Sequence, residues 1–178
     1  MSALEELSRE LPALARRAIA LYLESGHWLE ARRAGAPAAG VFVTLRNADG
    51  SLRGCIGSIA PAEPDVFAET ARSAVLAATR DPRFPPLRPE ELASLSIEVS
   101  VLAPDEPVEG LGDLDPKRYG VIVRDRLGRR GLLLPDIEGV DDPSTQVAIA
   151  RQKAGISANE PVLLSRFRVT KALEHPRS

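Results

Sequence analysis

The sequence Leu52-Arg-Gly-Cys-Ile-Gly-Ser-Ile59 predicts, with Ser51, the second strand of a β-hairpin, and the rest of the predicted fold is built outward from it. The segment Val41–Arg46 is apolar and β-branched, which predicts the first strand. Between the two strands, Asn47-Ala-Asp-Gly50 supplies the residues of a turn. The single cysteine of the chain, Cys55, is therefore expected on a strand and between two glycines.

Helices are predicted on both sides of this hairpin. Apolar residues at spacings of three and four from Leu4 to Leu21 predict a helix that Pro12 divides in two and Gly26 ends. Further helices are predicted at 65–78 and 143–154, a helical turn at 89–93, strands at 95–103, 119–124, 131–134 and 163–173, and a loop at 104–116. Strand pairs separated from helices are typical of an α+β fold, here with an antiparallel sheet flanked by helices. We expect one domain over 1–178, with a smaller lobe at about 117–157.

Composition excludes several classes of function. The formal net charge of −2 argues against nucleic-acid binding. One cysteine excludes an internal disulfide, and no leader pattern or apolar run of about 20 residues is present. We therefore expect a cytoplasmic protein that is not bound to membranes. Two histidines and one cysteine, all far apart, cannot supply a structural zinc set, and phosphate-loop and dinucleotide signatures are absent, so no metal and no cofactor are predicted.

Cys55 is the candidate catalytic residue. One interpretation makes its thiol a nucleophile, a redox group or part of a pocket, and the other makes it a small buried hydrophobic side chain. Gly54 and Gly57 on either side lack a Cβ atom, which permits close approach of another backbone or of a ligand. His27 and His175, the two histidines, have no setting that suggests a catalytic base.

Two arginines are candidate ligands for an anion. Arg53 precedes the cysteine in the hairpin, and Arg83 lies in Asp81-Pro-Arg-Phe-Pro-Pro86. Guanidinium groups suit carboxylate and phosphate, so together they predict a site for a small anion in a cleft near Leu52–Gly57 and Asp81–Phe84, with Asp81 as a further candidate ligand-binding residue. The second segment also has a purely structural interpretation, in which Asp81 caps a turn and Phe84 packs into the core. From the expected lengths of strand and helix, we predict that the cysteine hairpin and the loop 81–86 meet in space, with Arg83 facing Arg53.

Five segments in a fixed order carry a resemblance to a known family. They are Leu52–Ile59, Asp81-Pro-Arg-Phe-Pro-Pro-Leu87, Leu95-Ser-Ile-Glu-Val-Ser-Val-Leu102, Arg130-Gly-Leu-Leu-Leu-Pro135 and Lys153-Ala-Gly155. Together they resemble the AMMECR family, whose bacterial and archaeal members are often called system protein A of a set with a Memo-like protein and a radical-SAM protein. The resemblance spans roughly residues 14–174.

The resemblance implies a two-part α+β fold and action with Memo-like and radical-SAM partners, but it brings no established reaction or cofactor. The resemblance also bears on Glu98. The alternation of its strand predicts a charge exposed to solvent, whereas the neighbouring family segments imply a position at a cleft, where Glu98 would bind a substrate or an arginine. Where many members have a histidine, this chain has Tyr119, and a second cysteine common in the family is absent. A mechanism that needs either group could not operate here. The alternative function is a non-catalytic adaptor that docks onto another protein.

Overall fold

The structure, a computed structural model, describes residues 3–174. Within that range the chain forms four α-helices and eight strands. The helices are α1 (Ala3–Ser8), α2 (Leu11–Ser25), α3 (Val66–Thr79) and α4 (Pro143–Ala154). The strands are β1 (Val41–Arg46), β2 (Leu52–Gly57), β3 (Ser96–Leu102), β4 (Glu106–Val108), β5 (Gly120–Arg124), β6 (Arg130–Leu133), β7 (Leu163–Phe167) and β8 (Val169–Glu174). Short 3₁₀ helices cover Pro89–Ser94 and Leu111–Asp113.

The strands of the described chain form two four-stranded sheets, in the orders β2-β1-β3-β8 and β4-β7-β5-β6. In the first sheet, β1 pairs antiparallel with β2 and with β3. In the second, β7 pairs antiparallel with β4 and β5, and β5 with β6. The predicted α+β class is confirmed, with two sheets in place of the one expected.

The described residues divide into two compact units. The first contains residues 3–101 and 170–174, and the second contains residues 102–169, which include the segment in which the sequence predicted a smaller lobe. In the first unit, α3 packs against β1 and β2, and α2 packs against α3. Alternate residues of β1 and β3 are fully buried in its core, namely Val41, Val43, Leu45, Ile97, Val99 and Val101. In the second unit, α4 covers β5 and β6 around a smaller core.

The helix ends follow the expected local chemistry. Pro12 lies in the first turn of α2, and Gly26 ends that helix with a left-handed φ of 73°. The Asp65 carboxylate accepts hydrogen bonds from the Phe67 and Ala68 N–H groups and so caps α3. Asp142 caps α4 in the same way through the Thr145 N–H. Within residues 3–174, no helix combines the length and the apolar character needed to cross a membrane.

Two sequence predictions about the second half of the chain are wrong. The segment 104–116 is not a continuous loop, because β4 pairs with β7 and Leu111–Asp113 is helical. The long last strand predicted over 163–173 is interrupted at Arg168. Its two halves, β7 and β8, belong to different sheets. Alternation of apolar and polar residues continues across the break, so it carried no signal of the change of sheet.

Candidate functional site

A row of three polar side chains crosses the first sheet. Thr44 of β1 lies opposite Cys55 of β2 on one side and opposite Glu98 of β3 on the other. Directly opposed residues share one face, and this is not the face of Val43 and Leu45, which point into the core. At about 4.8 Å between strands, the three Cα atoms span about 10 Å. We call Cys55, Thr44 and Glu98 the polar row.

Cys55 is held in this row by a side-chain contact. Its Sγ lies 3.3 Å from the Thr44 Oγ1, within hydrogen-bond distance for sulfur. Thr44 is buried, whereas Cys55 and Glu98 are partly buried. The thiol is therefore neither enclosed in the core nor freely exposed. Its predicted catalytic role stays a prediction.

Arg53 is turned away from the regular ladder by a bulge in β2. Leu45 pairs with Gly54 and Arg46 pairs with Leu52, which leaves Arg53 as an extra residue without a partner in β1. Its guanidinium donates to both carboxylate oxygens of Glu91, from Nε at 3.1 Å and from Nη2 at 3.3 Å. The Arg53 side chain is only 9% exposed. Its charge is thus committed to an internal ion pair.

Glu91 is fixed from a second direction as well. Its carboxylate accepts the Arg88 N–H at 2.7 Å at the start of the 3₁₀ helix. This bond and the Arg53 guanidinium lower the pKa of Glu91, so the carboxylate stays charged opposite Arg53.

The Asp81 carboxylate joins the loop 81–86 to the hairpin. It accepts the Cys55 N–H at 2.9 Å, and it also accepts the backbone N–H of Arg83. The Arg83 guanidinium donates to the same carboxylate twice, from Nε at 3.0 Å and from Nη2 at 2.8 Å. Because of this guanidinium above all, the pKa of Asp81 lies well below its usual range, although burial opposes the shift. The predicted meeting of loop and hairpin is confirmed.

Arg83 differs from Arg53 in its exposure. The Arg83 side chain is 55% exposed, while the Asp81 side chain beneath it is 2% exposed. Its Nη2 also approaches the Cys55 carbonyl oxygen at 3.5 Å, a weak contact. The two candidate arginines therefore each have a carboxylate partner of their own, and only Arg83 has a guanidinium open to solvent.

The two glycines of the motif are explained by close packing of the protein itself. A Cβ atom at Gly54 would lie 2.3 Å from the Ala77 carbonyl oxygen of α3. One at Gly57 would lie 2.2 Å from the Val41 carbonyl oxygen of β1. Both glycines therefore allow another backbone segment to approach closely. The alternative, that they allow a ligand to approach, stays a prediction.

Two residues that position this region were missed by the sequence analysis. Thr44 could have been found by counting back from the turn at 47–50, but the bulge at Arg53 shifts that count by one residue. Glu69 of α3 is fully buried. Its carboxylate accepts the Ser58 hydroxyl and the Ala62 and Glu63 N–H groups, which fixes the loop that follows β2. No sequence signal distinguished this glutamate from a surface residue of an alanine-rich helix.

The histidines and acidic groups do not form a metal centre in the described part of the chain. No group of three or more potential metal-ligating side chains occurs among residues 3–174. His27 is exposed just after α2, and His175 lies outside the described residues.

Known proteins are similar to this chain over most of its length. The AMMECR1 family profile matches residues 12–172, nearly the whole chain. The chain belongs to the AMMECR1 family. A Thermotoga maritima protein is 52% identical over 134 residues, which cover 75% of this chain and 76% of that protein. Protein MK0488 of Methanopyrus kandleri is 47% identical over 146 residues, covering 74% of this chain and 70% of its own.

The fold is also found in a solved structure. The crystal structure of the uncharacterized protein PH0010 from Pyrococcus horikoshii matches with a TM-score of 0.85 and 35% sequence identity. The match covers 97% of this chain and 94% of PH0010. Family membership therefore extends over both compact units.

Proposed function

We propose that the first unit binds a small anionic ligand beside Cys55, and that the protein acts on it in the cytoplasm with a Memo-like and a radical-SAM protein. One observation carries the proposal: a solvent-exposed guanidinium is fixed against the backbone of the cysteine. The bidentate bond to Asp81 holds Arg83 in one orientation, so little side-chain entropy is left to lose when a ligand binds.

The free edge of Arg83 is the donor that supports binding of an anion. Its Nε and Nη2 are occupied by Asp81, and its Nη1 has no acceptor among residues 3–174. Asp81 offsets part of the positive charge, so we expect the donor geometry of Nη1 to contribute more than net attraction.

Glu98 supplies a complementary group at the other end of the polar row. Its carboxylate is partly buried and makes no hydrogen bond or ion pair with another residue of the described chain. A partly buried carboxylate without a partner favours a ligand that brings its own donor. A ligand with an anionic group at Arg83 and a hydroxyl or amino group toward Glu98 suits both ends.

The proposal can be tested without knowing the ligand, by the rates at which two alkylating agents modify the protein. Iodoacetate is an anion and iodoacetamide is neutral, and in either reaction the Cys55 thiolate attacks the CH₂ carbon and iodide leaves. Cys55 is the single cysteine, so the incorporated mass reports this position alone. We expect Arg83 to raise the iodoacetate rate relative to the iodoacetamide rate, and Arg83→Gln to lower that ratio severalfold.

Arg72→Gln is the matched control for this experiment. Arg72 is also partly exposed, at 43% of its side chain, and also has one carboxylate partner, Glu63. It lies on α3 rather than beside Cys55, so its replacement should leave the ratio unchanged. Equal ratios in wild type and Arg83→Gln, or modification only after unfolding, would contradict an anion site at the thiol.

The partner part of the proposal rests on the family resemblance. It is tested by mixing the purified protein with the Memo-like and radical-SAM proteins of the same organism and measuring complex formation by size-exclusion chromatography. Failure of both to bind, with a folded protein, would contradict action in a stable complex.

A docking role is the second candidate function, and an apolar cavity in the first unit favours it. The cavity has a volume of about 470 Å³ and is lined by Trp28, Leu29, Ala31, Pro64 and Ala68, together with two arginines and two glutamates. Trp28 is 50% exposed. Apolar surface of this kind is typical of protein contacts. If docking is the function, Trp28→Ala should abolish binding of the Memo-like protein while leaving Cys55 alkylation unchanged.

A further inference from the structure

Three arginines of the second unit surround the ring of Tyr119. The guanidinium carbons of Arg166, Arg168 and Arg118 lie 4.3, 5.0 and 5.8 Å from the ring centroid. Tyr119 immediately precedes β5, Arg166 lies in the neighbouring strand β7, and Arg168 directly follows that strand. Contacts within about 6 Å are cation–π interactions, but one ring cannot offset the mutual repulsion of three positive charges.

One of these arginines is already neutralised. Arg166 donates from Nε to Glu106 at 2.6 Å and from Nη1 to the Asp113 carbonyl oxygen at 2.7 Å. By contrast, Arg118 and Arg168 have no carboxylate partner among residues 102–169 or in the rest of the described chain. Both are exposed. Two guanidinium groups without a carboxylate partner therefore lie within 6 Å of the centroid of the same ring.

The hydroxyl of Tyr119 adds a third donor there. Arg168 donates from Nη2 to the Tyr119 hydroxyl oxygen at 3.0 Å. The hydroxyl accepts this bond, so its own proton remains available to a further acceptor. The backbone of Tyr119 is fixed from inside the unit, because the buried Gln146 donates from Nε2 to the Tyr119 carbonyl oxygen at 2.8 Å.

We propose that Arg118, Arg168 and Tyr119 form a second binding site, which takes one phosphate group of a small molecule. A phosphate monoester carries close to two negative charges at neutral pH, enough to balance both free guanidinium groups, whereas a carboxylate would leave one uncompensated. It also offers three acceptor oxygens to the two guanidinium forks and the hydroxyl. Two free cations suit one phosphate rather than an extended polyanion, in keeping with the net charge of −2. This site lies wholly within the second unit and does not depend on the function proposed for the first.

The test is a titration of the full chain with inorganic phosphate, in which binding is measured by isothermal titration calorimetry or by amide NMR shifts. Arg118→Gln and Arg168→Gln are each expected to raise the Kd about tenfold or more, because each removes a charge-assisted pair. Tyr119→Phe removes only the hydroxyl and should raise the Kd by a smaller factor. Arg126→Gln is the matched control, since Arg126 is exposed in the β5–β6 turn of the same unit and should leave the Kd unchanged.

Several outcomes would overturn the proposal. Phosphate could fail to bind at millimolar concentration, Arg126→Gln could weaken binding as much as the other variants do, or acetate could bind as tightly as phosphate. A single-stranded oligonucleotide that bound more tightly than phosphate and was lost in Arg118→Gln would replace the small-molecule phosphate with a nucleic-acid backbone. The variants change exposed side chains, and unchanged circular dichroism spectra would verify that each one folds.

Discussion

Replacing Asp81 by asparagine tests whether one carboxylate holds the loop 81–86 to the cysteine hairpin. The carboxylate receives four hydrogen bonds, from the backbone N–H groups of Cys55 and Arg83 and from two nitrogens of the Arg83 guanidinium. Asparagine keeps the size of the side chain but has one acceptor oxygen in place of two. Its amide N–H groups would also face other donors.

The expected loss can be worked out from these contacts. A hydrogen bond to a charged group contributes about 1.5–3 kcal/mol, and a buried donor left without a partner costs a similar amount. Arg83 is more than half exposed, so water compensates most of its own loss. The remaining contributions come from the backbone N–H groups of Cys55 and Arg83. They give a decrease of about 3 kcal/mol in the free energy of unfolding, a large fraction of the stability of an ordinary domain.

The effect should also depend on pH, with a definite sign. The Arg83 guanidinium holds the pKa of Asp81 below its ordinary value of 3.8. A carboxyl with a depressed pKa stabilises the fold above the unfolded-state pKa, and the contribution is lost as the pH falls toward the folded-state pKa. The difference between wild type and Asp81→Asn should therefore be constant near neutral pH and shrink below about pH 4.

Urea unfolding, monitored by circular dichroism at several pH values, measures both the decrease in the free energy of unfolding and its dependence on pH. Asp49→Asn is the control: the Ser51 N–H and hydroxyl both donate to one Asp49 oxygen in the exposed turn of the same hairpin, which an amide oxygen can replace, so the urea midpoint should stay close to that of wild type. A decrease below about 1 kcal/mol at pH 7, or a difference that does not shrink on acidification, would refute the role given to Asp81.

Two further predictions concern packing and charge in the first unit, and thermal unfolding measures the first. Gly54→Ala should lower the free energy of unfolding by about 3 kcal/mol, since the new methyl group would overlap the Ala77 carbonyl oxygen. Gly112→Ala, where no atom lies within 4 Å of the added carbon, is the control and should be close to neutral. Glu91→Gln should lower the free energy of unfolding by about 2 kcal/mol, because the buried Arg53 loses its counter-charge. An unchanged urea midpoint for Glu91→Gln would mean that Arg53 is solvated in some other way.

Local signals predicted most of the elements. Pro12 and Gly26 fixed the limits of α2, and Asp65 fixed the start of α3, because proline, glycine and capping carboxylates act within one helical turn. The division of the last strand between two sheets could not be predicted. Which sheet a strand joins depends on partners distant in sequence, and β7 pairs with β5, as in the pair of Gly120 with Phe167, 47 residues apart.

The candidate site was predicted by its segments but not by its contacts. Chain lengths alone predicted that the loop 81–86 reaches the hairpin, because a helix and a strand of known rise return to the same end. The partner of Arg53 could not be predicted, since Glu91 is 38 residues away on a short 3₁₀ helix. The sequence therefore predicted two arginines facing one anion, whereas the structure gives each arginine an internal carboxylate.

The position of Asp81 also limits what can be added to the first sheet. Strand β2 is the last strand on its side, so the backbone groups of Cys55 that point outward are the ones another chain would use to extend the sheet. Asp81 already occupies the N–H, and Arg83 lies against the carbonyl. An incoming strand would have to displace a two-point ion pair before forming its first hydrogen bond at Cys55. The contact that holds the loop thus also protects the hairpin from edge-to-edge aggregation.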